Sequence, residues 1–388
     1  MNDQGGRDVK RLESLDACRG FDMFWIMGGE GLICLVAALL GYPDFKQRFG
    51  HVTWTGLQFM DMVFPTFLFL AGLSFPLSSL KSAERGMPRR AIAARAIRRG
   101  ISLVVLGWVY QGFLSRLDFD SFRIPSVLGY IGFGWTFAAL IYLYVRSVRM
   151  RIALVAVILA VTTLTFGLVP APDADTYVFA SDWARNTYAE FGRGPFSPVG
   201  NLGCWLDRNV LGRHALYPGL FDKLGFAGLI PTIATAMLGV FAGEIVLRDG
   251  LEATWAKTRA LLVSGAVCLS AGLALSLYCP IVKNLWSPSF VLVVGGYSFV
   301  LFAVFYWVID VRKHARWSFF FRVIGVNSIT IYIVQKFVDF DKIANFFLGG
   351  AAACLPKSAG QILLSVGYVF FCWLLLLFLY RKNVFLKV

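Results

Sequence analysis

The chain has 388 residues, of which 57% are hydrophobic, 16% aromatic and only 15% charged, and its mean hydropathy is +0.66. Soluble domains carry about 25% charged residues, so a soluble globular fold is excluded. Apolar runs near the roughly 20 residues that span a bilayer recur from end to end without the short alternation of barrel strands, which excludes a β-barrel as well. The net charge of +14 needs no nucleic acid, because anionic lipid headgroups suffice as partners.

In chain order, hydropathy predicts about ten transmembrane helices, near 21–41, 60–80, 96–115, 126–145, 151–170, 226–246, 259–279, 288–309, 317–336 and 361–380. The fold class is therefore an all-α polytopic membrane protein, read as one domain over 1–388. Residues 1–15 are polar, so no cleavable signal peptide is expected. The piece 342–356 is too short and glycine-rich to span and reads as interfacial or re-entrant. "KSAERGMPRRAIAARAIRR" (81–99) dominates the distribution of basic residues and places both termini in the cytoplasm. His51 then lies outside, together with one long external loop at about 171–225. The seven cysteines are scattered, and a Cys204–Cys354 disulfide is an open option without framework spacing to support it.

Ionisable groups inside a membrane are expensive and mark functional sites or fixed packing. Glu30 sits in mid-span in "FWIMGGEGLICL", between glycines that clear space around it, and is either a packing glutamate or a proton- or ligand-handling group. Asp22, nearer the cytoplasmic face, reads as a helix-end or ion-pair residue. Asp61 opens the second span, where a carboxylate complements the helix dipole or orients His51 or a substrate. His51 is by composition an interfacial imidazole or a base, with His214 its external rival and His314 in a solvated basic loop. Three dispersed histidines without paired cysteines predict no metal site. Asn327 and Ser328, in the ninth span, either join helices or line a cavity.

Read in order, "RLESLDACRGFDMFWIMGGEG", "HVTWTGLQFMDMVFPTFLFLAG", "RIPSVLGYIG", "WLDRNVLGRHALY", "MLGVFAGEIVL", "KNLWSPSFV", "NSITIYI" and "YRKNVFLKV" resemble the catalytic region of the heparan-alpha-glucosaminide N-acetyltransferase family and its bacterial relatives. The resemblance runs from about residue 11 to the C-terminus, and the lysosomal enzyme's extra luminal domain and first helix are expected to be absent. It implies a multi-pass acetyltransferase of the bacterial inner membrane. Such an enzyme moves an acetyl group from cytoplasmic acetyl-CoA to the amine of a glucosamine-type sugar or glycan at the periplasmic face. It also implies that His51 is the active-site histidine, with Glu30 where the lysosomal enzyme has an asparagine and Asp61 as their neighbour. Arg19, Arg98 and Arg99 become candidates for the donor's phosphates, and Trp54, Arg123, Asp207, Asp222, Asn284 and Trp286 for the acceptor. The chain departs from its relatives after Asp222, with Lys223 and Leu224 where a proline and a glutamate often stand.

The chemistry follows from the acceptor. A protonated amine must lose a proton before it attacks a thioester, and an imidazole of ordinary pKa near 6.5 is suited to take it. Direct transfer and a covalent acetyl-histidine are both open. Two other readings compete: O-acylation of a periplasmic polysaccharide, and an amino-sugar permease in which Glu30 binds substrate or protons. A homodimer is compatible with all of them.

Overall fold

The computed structural model describes residues 12–113, 122–248, 250 and 252–385; the end of the third expected span, at 114–115, lies outside them. Helices α1 (Glu13–Phe24) and α2 (Glu30–Leu39) form the first span, joined through a widened turn at Trp25–Gly29. Gly28 makes that break possible, because its φ of 118° is open to glycine and closed to most side chains. The span begins earlier than hydropathy suggests and draws Asp16 and Asp22 into the helix. Of the two readings of Asp22, the helix-end one fits its place in the last turn of α1, where it is 3% exposed and its Oδ2 has no hydrogen-bond partner among the described residues.

Helices α3 (Phe59–Glu84), α4 (Arg89–Tyr110), α5 (Val127–Tyr144) and α6 (Val148–Leu168) follow. After the long segment at 170–225 come α7 (Phe226–Leu247), α8 (Trp255–Ser276) and α9 (Pro288–Phe305). The last elements are α10 (Phe319–Val326), α11 (Ser328–Phe337), α12 (Phe340–Ala353) and α13 (Lys357–Arg381). Among the described residues, 8 helices are long and apolar enough to cross a membrane, or 9 with the α10–α11 pair, which bends by 60° at Asn327. Helix α4 takes the third expected position, but Arg89, Arg90, Arg95, Arg98 and Arg99 make its first half strongly cationic. The 342–356 piece is α12, packed on α13.

Helices α3 and α7 form the central pair, held by small residues. A side chain at Gly239 would sit 1.9 Å from the carbonyl oxygen of Phe69, so only glycine lets these backbones approach. Helix starts carry their expected caps: Ser126, Ser147, Thr254 and Ser287 each accept a backbone N–H of the first turn. Above one end of the bundle, 170–225 folds over Trp54, Tyr188, Phe221 and Leu285 as a second core. Arg208 ties that cap together by pairing with Asp173 and bonding the carbonyl of Val199 at 2.9 Å. Cys204 is buried there and Cys354 is exposed beyond α12, and both are free thiols.

Candidate active site

His51 lies in the loop between a short helix, Phe45–Phe49, and α3. Trp54 anchors this loop: its indole N–H donates to the carbonyl of Phe196 at 2.8 Å, and its ring meets Phe221 edge-on at 4.9 Å. Gly56, at a φ of 116°, donates its N–H to the carbonyl of Ile281 at 2.8 Å, beside a single bridge between Thr55 and Val282. Asn284 adds a bond of 3.2 Å from Nδ2 to the carbonyl of Thr53. The His51 loop is thereby laid against the turn that precedes α9.

That turn is stiff. Ser287 Oγ accepts the N–H of Val282 at 3.0 Å and donates to the carbonyl of Pro280 at 2.9 Å. Trp286, left-handed at φ 51°, is buried in the bundle with its N–H donating to Thr235 Oγ1 at 2.9 Å. Between these fixed points Lys283 points at His51.

Asp61 is the hub. It is the third residue of α3, where its Oδ2 accepts the N–H of Gln58 at 3.1 Å in a capping box and the N–H of Val52 at 3.2 Å. Its Oδ1 meets His51 Nδ1 at 2.8 Å and accepts from Lys283 Nζ at 3.1 Å. Lys283 Nζ is also 3.2 Å from His51 Nδ1. The Asp61 side chain is 1% exposed, whereas His51 is 50% exposed. A carboxylate cannot donate, so Nδ1–H points at Asp61 and the lone pair falls on Nε2, the ring nitrogen on the far side. The result is an exposed basic nitrogen on an imidazole oriented from below. Burial pushes the Lys283 ammonium down from the ordinary lysine range, against the pull of Asp61. Lys283 carried no signal as a lone residue; only its place in "KNLWSPSFV" hinted at it.

Glu30, at the start of α2, points toward the same loop. Its Oε1 lies 3.8 Å from the position of a side chain built on Gly50, and its charge is felt at Lys283. Its side chain makes no hydrogen bond or ion pair among the described residues. Arg123, Asp207 and Asp222 form a separate buried network under the cap. Arg123 grips Asp222 with Nε at 2.9 Å and a terminal nitrogen at 2.6 Å, and Asp222 also accepts the N–H groups of Leu216 and Leu224. Asp207 accepts the N–H groups of Asp222 and Phe226, and burial pushes its carboxyl up to about 7. His214 Nδ1 meets the carbonyl of Phe122 at 2.9 Å, outside the His51 cluster.

At the opposite end of the bundle lies a cavity of about 550 Å³. Arg19, Arg98 and Arg99 line it together with Arg95, Ser79 and Asn327. Arg19 is held by the carbonyl of Leu70 at 3.2 Å, and the Arg99 guanidinium stacks on Trp135 at 4.5 Å while its buried Nε has no partner among the described residues. The wall climbs α3 as far as Phe67, and a narrow void of about 20 Å³ continues past Phe64, Met23 and Ile26. Phe64 is one helical turn from Asp61.

A helical membrane bundle with an oriented, half-exposed histidine at one end and an arginine-lined cavity at the other is thus a membrane-embedded candidate enzyme. Residues 11–282 match the heparan-alpha-glucosaminide N-acetyltransferase catalytic family, and the chain belongs to that family. It is 27% identical over 423 residues to the human heparan-alpha-glucosaminide N-acetyltransferase, covering 97% of this chain and 60% of that protein. Its identity to the mouse protein is 25% over 419 residues, covering 97% and 61%. The chain therefore spans about three fifths of the length of these relatives. Among the described residues no cluster of His, Cys, Asp and Glu could hold a metal ion.

Proposed function

We propose that this chain is an acetyl-CoA-dependent N-acetyltransferase of a bacterial inner membrane, acting on the amine of a glucosamine-type sugar at the periplasmic face. The observation that carries the reading is the half-exposed imidazole held by Asp61 at 2.8 Å in a member of this family. His51 Nε2 takes the proton that the acceptor amine loses as it bonds to the acetyl carbon, and returns a proton to the departing thiolate. Bound acetyl-CoA would supply the thioester acetyl group. The arginine cavity suits its phosphates, since Arg19, Arg95, Arg98 and Arg99 converge there and Arg99 Nε is buried without a partner among the described residues. The narrow void along α3 gives the direction of approach toward Asp61. Trp54, Asn284 and Trp286 hold the frame of the acceptor side, and Arg123, Asp207 and Asp222 brace the cap above it.

The test is direct. Protein purified in lipid nanodiscs and given radiolabelled acetyl-CoA and glucosamine should release labelled N-acetylglucosamine. Uptake of unmodified amino sugar into proteoliposomes, with no labelled product, would instead mark a permease. Label appearing only on hydroxyls of a polysaccharide would mark an O-acyltransferase. Within the same assay, Arg99→Ala should raise KM for acetyl-CoA about tenfold or more and leave KM for the amine unchanged.

A further inference from the structure

Asp61 alone would make a poor partner for a base. A buried carboxylate 2.8 Å from Nδ1 favours the imidazolium, and an imidazolium cannot accept the amine's proton. The structure places a cation against the same two atoms: Lys283 Nζ is 3.1 Å from Asp61 Oδ1 and 3.2 Å from His51 Nδ1. An ammonium has three donors and no acceptor, so it satisfies the carboxylate and repels a second positive charge on the ring. Its side chain is 20% exposed, so solvent screens little of this.

We propose that Lys283 is a positioning residue that offsets the charge of Asp61 beside His51 and thereby opposes a second positive charge on the ring, leaving Nε2 to accept the amine's proton. The proposal rests on His51 being the base of the reaction above. The other charges around the site do not replace Lys283. Glu30, on α2, adds negative charge in the same sense as Asp61, and Lys223 lies within electrostatic reach of Lys283 from the cap. Lys46 and Arg48 sit on the short helix before His51, with Lys46 felt at Cys34 beside Glu30. Of these cations, Lys283 alone is bonded to Asp61 among the described residues. It is 232 positions from His51 and just beyond the family match, which ends at residue 282. The turn that carries it is pinned by Ser287 and Trp286, so the backbone fixes the root of the lysine side chain beside His51.

The experiment reads protonation of His51 without requiring turnover. Diethyl pyrocarbonate modifies only unprotonated imidazole, and peptide mass spectrometry separates His51 from His214 and His314. In Lys283→Met the midpoint of His51 labelling against pH should rise by about one pH unit or more, while Lys283→Arg should keep the wild-type midpoint. The double variant Asp61→Asn/Lys283→Met, which removes both charges, should return it toward wild type. The acidic limb of kcat/KM should follow the labelling, so Lys283→Met loses rate near neutrality and recovers it at alkaline pH, with KM for acetyl-CoA unchanged. An unmoved midpoint in Lys283→Met, or a loss of rate equal at every pH, would overturn the proposal. If the midpoint moves but the wild type makes no N-acetylglucosamine, the acetyltransferase reading fails and the positioning role stands.

Discussion

At the scale of single residues, exposure separates His51 from His214. His51 is 50% exposed and rests on one carboxylate, so His51→Ala removes little packing. It should abolish acetyl transfer while changing the stability measured by thermal unfolding by no more than a surface substitution does, about 0.5 kcal/mol. His214→Ala should retain most activity, because His214 bonds the carbonyl of Phe122 and packs on its ring away from the His51 cluster. A dead His214→Ala beside an active His51→Ala would reassign the base. Glu30 is the position where the family resemblance puts an amide. With no cation bonded to it among the described residues, its shape and polarity are the properties a glutamine preserves. Glu30→Gln should therefore keep activity within several-fold and Glu30→Ala should lose tenfold or more, read as kcat/KM. Equal failure of both would mean that the negative charge itself is needed.

At the scale of elements, the cap carries a pH-dependent contribution to stability. Asp207 joins the 207–211 turn to the start of α7 through the N–H groups of Asp222 and Phe226. Burial raises its carboxyl to about 7 from an ordinary 3.8, so the fold prefers the protonated acid. That contribution is fully present below the ordinary value and is lost as pH rises through about 7. Stability should fall across this window with a slope of at most about 1.4 kcal/mol per pH unit. Thermal unfolding of Asp207→Asn, measured between pH 5 and 8, should lack this slope and start from a lower midpoint. The lower midpoint follows because an amide nitrogen cannot accept one of the two N–H groups. A slope unchanged by the substitution would assign the pH dependence elsewhere. The cap matters to the site because Trp54, which anchors the His51 loop, is bonded to it at Phe196.

At the scale of the whole molecule, the two candidate sites sit at opposite ends of one bundle. Helix α3 carries Asp61 in its first turn and Ser79, a wall of the arginine cavity, about 27 Å further along its axis. An enzyme built this way can take donor from one side of a membrane and acceptor from the other. By the positive-inside rule, the distribution of basic residues predicts a cytoplasmic arginine end. Cysteines at Thr53 and at Ala83, both exposed, test that orientation. In a background where Cys34, Cys268 and Cys354 are replaced and the buried cysteines are kept, Thr53→Cys should react with an impermeant thiol reagent in intact cells. Ala83→Cys should react only after lysis. The reverse pattern would turn the molecule over and part His51 from a periplasmic acceptor.

The sequence by itself determined the class of this protein, because hydropathy is a local property that any window of about 20 residues displays. The breaks in the first and ninth spans were less legible: glycines flank Glu30 and polar groups stand at Asn327, but the bend of 60° depends on what each half packs against. Motif order pointed to His51 and Asp61, which are 10 positions apart and share one loop and helix start. The basic run at 81–99 singled out Arg98 and Arg99 on one helical stretch. Only the tertiary structure brought Lys283 to the imidazole across 232 positions, set Arg19 beside Arg98 and Arg99, and bound Arg123 and Asp222 to each other across 99. The reason is physical. A contact between distant segments is decided by how helices pack and how a cap closes over them, and no periodicity within either segment encodes its partner.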